Sequence, residues 1–172
     1  MVVRSSEGLP QAAALLYQQS PVADRLVLFV RRIQPRFAAE IAVQVEVSGN
    51  TLQERYLVSC TPRSSSLNRL VFHFHETRDE LFRWQLVNHP AVSLSASKLT
   101  VEDQSALGLV GGETWELVLP ESMSTRFDLE LQRESEIQEA SRVSLLMLPG
   151  ATSQLASLAI LARDEENLEI EA

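Results

Sequence analysis

The alternation of apolar and polar residues predicts an all-β chain built as an antiparallel two-sheet β-sandwich. Three observations carry this. Every odd position from Phe37 to Val47 is apolar, with Glu40, Gln44 and Glu46 between them. Successive strand side chains point to opposite faces, so this run has one dry and one wet face. After Ser48, Gly49 and Asn50 the apolar set resumes at Leu52, Tyr56, Val58 and Cys60, which makes a half-buried hairpin. Similar runs recur, separated by Pro, Ser, Asn or Gly, with few helical periods between them. That spacing favours a sandwich over a parallel α/β sheet.

The elements follow in order. Residues 10–19 combine Pro10 with strong helix formers and suit a short helix or, preferably, extended chain. Residues 25–33 are rich in β-formers between Pro21 and Pro35 and predict a strand. The hairpin 37–60 follows, then a loop at 62–66. Residues 70–75 predict a strand with Leu70, Phe72 and Phe74 on one face, and 78–80 a turn. Residues 81–87 alternate, with Phe82, Trp84 and Leu86 facing inward. Segments 92–96 and 99–101 are weaker strand candidates. Three of the six glycines fall at 108–112, ahead of a strand carrying Trp115, Leu117 and Leu119. Residues 127–131 alternate again. The polar, Glu-rich stretch 133–140 predicts a loop or one helical turn. Residues 143–148 form a continuous apolar run that suits a central strand covered on both faces. Pro149 and Gly150 mark a turn, and 155–161 a last strand or short helix. Eight to ten short strands and at most one or two short helices result, an immunoglobulin-like or jelly-roll-like sandwich. A boundary near 102–112 would leave little core in either half. The expectation is one domain over residues 1–162, with the acidic 163–172 as an exit or linker.

Composition narrows the class. A single domain of 172 residues buries roughly 70% of its unfolded surface and needs no staples. Its 45% hydrophobic and 22% charged residues are those of a soluble globular domain. Twenty-three acids against 15 bases give a net charge of −8, which repels phosphate backbones and argues against nucleic acid as a partner. Cys60 is alone, so no disulfide framework forms, and its strand phase makes it a small buried hydrophobe. No run of about eighteen apolar residues predicts a transmembrane segment, and the first residues do not read as a signal peptide.

His73 and His75, with Glu80 behind them, are the sharpest chemical candidates. Two histidines at i and i+2 share a strand face, as several β-folds present imidazoles to a metal. The spacing resembles half of the first motif of the cupin family, which would imply a small metal-dependent enzyme. Leu67 and Val87 stand where that motif has glycines, and no histidine follows His89. The competing assignment makes both histidines solvated strand residues opposite Phe72 and Phe74. Trp84 and Trp115 are candidates for a sugar-stacking platform, as in a carbohydrate-binding module, but share the apolar phase of their strands and fit a core better. Glu113 and Glu116, and residues 164–166, are read as carboxylates in acidic turns. No Walker loop, dinucleotide fingerprint, zinc cysteine pair or nucleophile elbow is present, and no cofactor is called for.

The stretch from Leu15 to Leu70, in which a strand ends at Gln34, Pro35 and Arg36 before the long hairpin, resembles β-sandwich modules of large bacterial cell-envelope proteins. The resemblance implies a non-catalytic structural or protein-interaction module of a larger, extracytoplasmic chain. Its partner would be another protein or a neighbouring domain, reached through loop ends or a sheet edge.

Overall fold

The computed structural model describes residues 3–4, 16–17, 36–63, 65–137 and 141–162. Contacts divide the chain into two units, Met1–Ile33 and Gln34–Ala172. In the first, β1 (Val3–Arg4) pairs antiparallel with β2 (Leu16–Tyr17). The strand expected at 25–33 and the exit at 163–172 lie outside the described residues, as does most of 10–19.

The second unit is a two-sheet sandwich. Its larger sheet holds β3 (Phe37–Ser48), β4 (Thr51–Pro62), β6 (Arg83–Leu86), β9 (Phe127–Glu136) and β11 (Ala151–Ala162), in the order β11-β3-β4-β9-β6. The smaller sheet is ordered β10-β5-β8-β7, from β5 (Leu67–Phe74), β7 (Ser95–Lys98), β8 (Glu113–Met123) and β10 (Leu146–Met147). No helix among the described residues is long and apolar enough to cross a membrane.

The opening hairpin forms as its alternation requires. β3 and β4 pair without interruption from Phe37↔Pro62 to Ser48↔Thr51. The odd positions of β3 are buried, as are the even positions of β4 from Leu52 to Cys60. Across the interior, Leu70, Phe72 and Phe74 of β5 and Trp115, Leu117 and Leu119 of β8 complete one continuous core. Its centre is aromatic. Phe74 stacks on Phe82 at 4.4 Å between ring centroids, and Tyr56 meets Phe74 edge-on at 5.4 Å, arrangements that add to simple area burial.

Four segments differ from expectation. The polar stretch after Leu131 is not a loop: β9 runs on to Glu136, and Arg133 and Ser135 keep the buried phase of Leu129 and Leu131. The apolar run 143–148 is not a central strand. It supplies the two-residue edge strand β10, with Leu146 and Leu148 buried and Leu145 exposed. Near 99–101 the chain enters a helix, α1 (Val101–Ala106), whose N-cap Thr100 accepts a hydrogen bond from the Asp103 amide and so satisfies an otherwise unpaired donor. Finally, the pairing is antiparallel except at one edge, where β11 runs parallel to β3 over eleven paired positions. A parallel neighbour needs a long crossover, and here the other strands intervene between β3 and β11.

Gly112 brings the loop before β8 against the end of β5. Its φ is +62°, and a Cβ there would lie 1.9 Å from the Phe74 carbonyl oxygen. Gly111 also has positive φ, yet a Cβ on it would meet nothing within 4 Å. Gly111→Ala is therefore expected to cost about 1–2 kcal/mol, the left-handed penalty alone. Gly112→Ala should cost at least about 3 kcal/mol, because backbone must move as well. Urea unfolding of the two variants checks the contrast; equal losses would show that the close approach is dispensable.

Candidate functional site

The buried phases of three strands each carry one charged residue. On β4 it is Glu54, between Leu52 and Tyr56; on β9 Arg133, after Leu131; on β8 Glu113, before Trp115. Glu54 and Arg133 are directly paired across β4 and β9, so one sheet supplies both. Glu113 comes from the other sheet, opposite Phe74 of β5.

Arg133 joins them. Its Nε donates to Glu54 Oε2 at 2.9 Å and its Nη1 to Glu113 Oε1 at 2.8 Å, with all three side chains shielded from solvent. Nη2 also lies 2.9 Å from Glu54 Oε2, off the line of a hydrogen bond. The guanidinium carbon sits 4.3 Å from the centroid of the Phe82 ring, a desolvated cation–π contact. Two further cations reach the cluster from its rim. Lys98 Nζ of β7 is 2.8 Å from Glu113 Oε2, and Arg78 Nη1 is 3.8 Å from Glu54 Oε2. Arg78 also donates to Ser135 Oγ and to the Arg142 carbonyl.

Glu54 Oε1 is held as well: it accepts from the Ser144 amide at 3.3 Å and from the Tyr56 hydroxyl at 3.2 Å. The same hydroxyl lies 2.9 Å from the Ser144 carbonyl. Burial, with the Glu54 carboxylate beside it, raises the Tyr56 pKa well above the ordinary phenol value. It stays a neutral hydrogen-bond donor. Glu113 is therefore not one of a pair of turn carboxylates. It is a buried counter-ion bridging the sheets, while Glu116 pairs with Arg69 on the outer face.

The candidate metal ligands His73, His75 and Glu80 do not form a three-residue group. His73 is buried, not solvated, at 3% exposure. Its Nδ1 shares a 2.9 Å hydrogen bond with Thr114 Oγ1. His75 is exposed and its Nδ1–H donates to the Leu145 carbonyl at 3.1 Å. The two rings stand 5.4 Å apart, and Glu80 is exposed in the bend beyond β5. Among the described residues, no three His, Cys, Asp or Glu side chains form a group able to hold a metal ion. Trp115 is buried and Trp84 half-buried, with Trp84 packed edge-on to Phe72 at 5.0 Å; neither lies open as a platform. Burial pushes the Cys60 thiol up to about 12, with Asp128 adding to the effect, so it is no nucleophile.

Two open clefts mark the surface. One of about 430 Å³ is lined by Gln53, Arg55, Phe82 and Glu134 among others, and its lining includes Glu54 and Arg133 of the charge cluster. Its walls are predominantly polar, with Leu81 and Phe82 the apolar part, unlike the mostly apolar lining of small-molecule sites. The other, about 280 Å³, lies beside His89 and Arg126.

The edge strand β11 differs from every other long strand. None of its twelve residues is buried. Leu155 is 71% exposed, Leu158 47% and Leu161 46%. Its inner face carries Gln154, Ala156, Leu158 and Ile160, which are level with buried residues of β3 from Ala39 to Val45. Of these only Ile160 packs on the core as a partly buried residue. β11 thus overhangs the smaller sheet.

No family model matches this chain, and no curated protein matches it.

Two outcomes follow from the buried groups. Arg133→Met strands Glu54 and Glu113 with only rim cations and should cost about 3–5 kcal/mol. Replacing all three by apolar residues (E54L, E113L and R133M together) should recover most of that loss. Urea unfolding decides it; a triple variant as unstable as R133M would refute the reasoning. The second outcome concerns pH. Burial lowers the His73 pKa below the ordinary 6.5, with the neighbouring His75 adding to it. The unfolded chain then takes up the proton first, so stability falls as pH drops through about 6.5 toward the folded value. In His73→Gln the stability change between pH 7 and 5.5 should be smaller than in the wild type, as thermal melts across that range would show.

Proposed function

We propose that this chain is a non-catalytic structural or protein-interaction module of a larger bacterial protein, and that it associates with protein partners at the outer edge of β11. The observation that carries this reading is the edge itself. β11 is twelve residues long, contains no charge, proline or glycine, and pairs with β3 on one side only among the described residues. Natural sheets blunt such an edge with lysine, proline, a bulge or a cover; β11 carries one irregularity, between Ala151 and Ser153 at its start, and pairs regularly from Ser153 to Ala162. An edge left open is a template to which an extended segment adds by main-chain hydrogen bonds, with alternate side chains giving specificity.

The rest of the molecule supports a non-catalytic reading. The buried carboxylates are engaged by Arg133, Lys98 and Tyr56 inside the sandwich. His73 and His75 are engaged in hydrogen bonds with Thr114 and the Leu145 carbonyl, and Trp84 and Trp115 in aromatic packing. Membership of a larger cell-envelope protein rests on the pattern from Leu15 to Leu70.

A fluorescein-labelled, uncharged twelve-residue peptide of alternating Thr and Val tests the edge. Its anisotropy should rise on titration with this protein. Placing lysines at two edge positions (L155K with L158K) should weaken binding at least tenfold. A peptide that stays free of protein kept dilute enough to be monomeric, or binds both proteins alike, would remove the reading.

A further inference from the structure

Taking the β11 edge as the association site, we infer that its occupant is a second copy of this chain, paired antiparallel about a two-fold axis through Leu158. Closed two-fold dimers present the same patch to each other, so the test of such an occupant is whether the strand complements itself. A two-fold perpendicular to the sheet keeps inner faces on one side, so opposed residues must share a phase. With the axis at Leu158, Leu158 faces its own copy, Leu155 faces Leu161, and Ala156 faces Ile160. Ser157 then faces Ala159. All three exposed leucines meet a leucine. Sliding the register by one pleat in either direction sets Leu161 against Ser153 or Ser157. One register is therefore favoured by side-chain contact, the unit of sheet stabilisation.

Charge points to the same place. The chain carries −8, and the outer face of its larger sheet presents Glu40, Glu46, Glu130 and Glu134. Arg126 and Arg55 pair with Glu40 and Glu130 there, but acids outnumber bases on this face, so face-to-face approach of two copies opposes net negative charge. β11 is a long uncharged strip where two like-charged copies can meet without that repulsion. Pairing there joins the two five-stranded sheets into one. It also gives the overhanging inner face of β11 a neighbour, because Leu158 and Ile160 of each copy meet Leu158 and Ala156 of the other.

Sedimentation velocity of the full chain from 1 to 100 µM should show a dimer. Leu158→Lys, which opposes two ammonium groups across the axis, should return it to monomer. Val110→Lys, at an exposed loop position far in sequence from β11, should stay dimeric, and circular dichroism should show all three folded alike. Single nitroxide labels on cysteines placed at 154, 158 and 162 give the register, since the native Cys60 is buried. The spin–spin distance should be shortest at 158. Labels at 154 or 162 should lie about 27 Å apart along the strand direction, from eight residues of rise. A dimer that persists in Leu158→Lys, or whose shortest distance falls elsewhere, overturns the inference. A monomer that still binds the Thr–Val peptide overturns the second copy as occupant and leaves the edge as an interaction site. A monomer that binds no peptide removes both.

Discussion

One buried arginine holds the two sheets in place. Arg133 lies between Glu54 of its own sheet and Glu113 of the other, and none of the three side chains reaches water. Charges removed from solvent are costly unless paired at close range, so this arrangement admits little displacement of one sheet across the other. It constrains register too. A two-residue slip of β4 along β9 would keep apolar residues inward, because their period is two. The same slip would set Glu54 opposite Leu131 or Ser135 and leave Arg133 without its carboxylate. Hydrophobic alternation chooses the face; the ion cluster chooses among registers that alternation alone would allow.

The aromatic core and the charge cluster are one assembly. Phe82 stacks on Phe74 and also lies under the Arg133 guanidinium, while Tyr56 joins the ring cluster through T-shaped contacts of its ring and Glu54 through its hydroxyl. Residues with chemical potential are thus engaged in structural contacts. The carboxylates are neutralised by fixed cations, and His73 closes against Thr114. The sandwich is also unequal, with five strands facing four. The extra strand, β11, meets the smaller sheet's side through Gln154, which bonds the Leu146 carbonyl and the Leu148 amide, and through Ile160 on the core; in the proposed association its exposed leucines belong to whatever pairs with that edge.

Much of this was legible in the chain. The phase of Phe37 to Cys60 correctly divides buried from exposed residues, as does that of Phe127 to Leu131, because a half-buried strand records its environment at every second residue. The same phase marks the ion cluster, since Glu54, Glu113 and Arg133 each interrupt or extend an apolar series in step. Reading polarity ahead of phase turned 133–140 into a loop and Glu113 into a turn residue. The run 143–148 misled in the opposite way: its apolar residues serve a short edge strand with one face open, and continuous hydrophobicity does not distinguish edge from centre.

The sequence by itself determined the all-β class, the opening hairpin and the inward face of most strands, because those properties depend on side-chain alternation within one segment. Tertiary structure alone decided which strands are neighbours, that β11 runs parallel to β3 and overhangs the opposite sheet, and that three charges seventy-nine and twenty residues apart in sequence close on one another. Pairing and depth of burial are relations between distant segments. Local periodicity states what each strand can bury, and only the packed chain states what it is buried against.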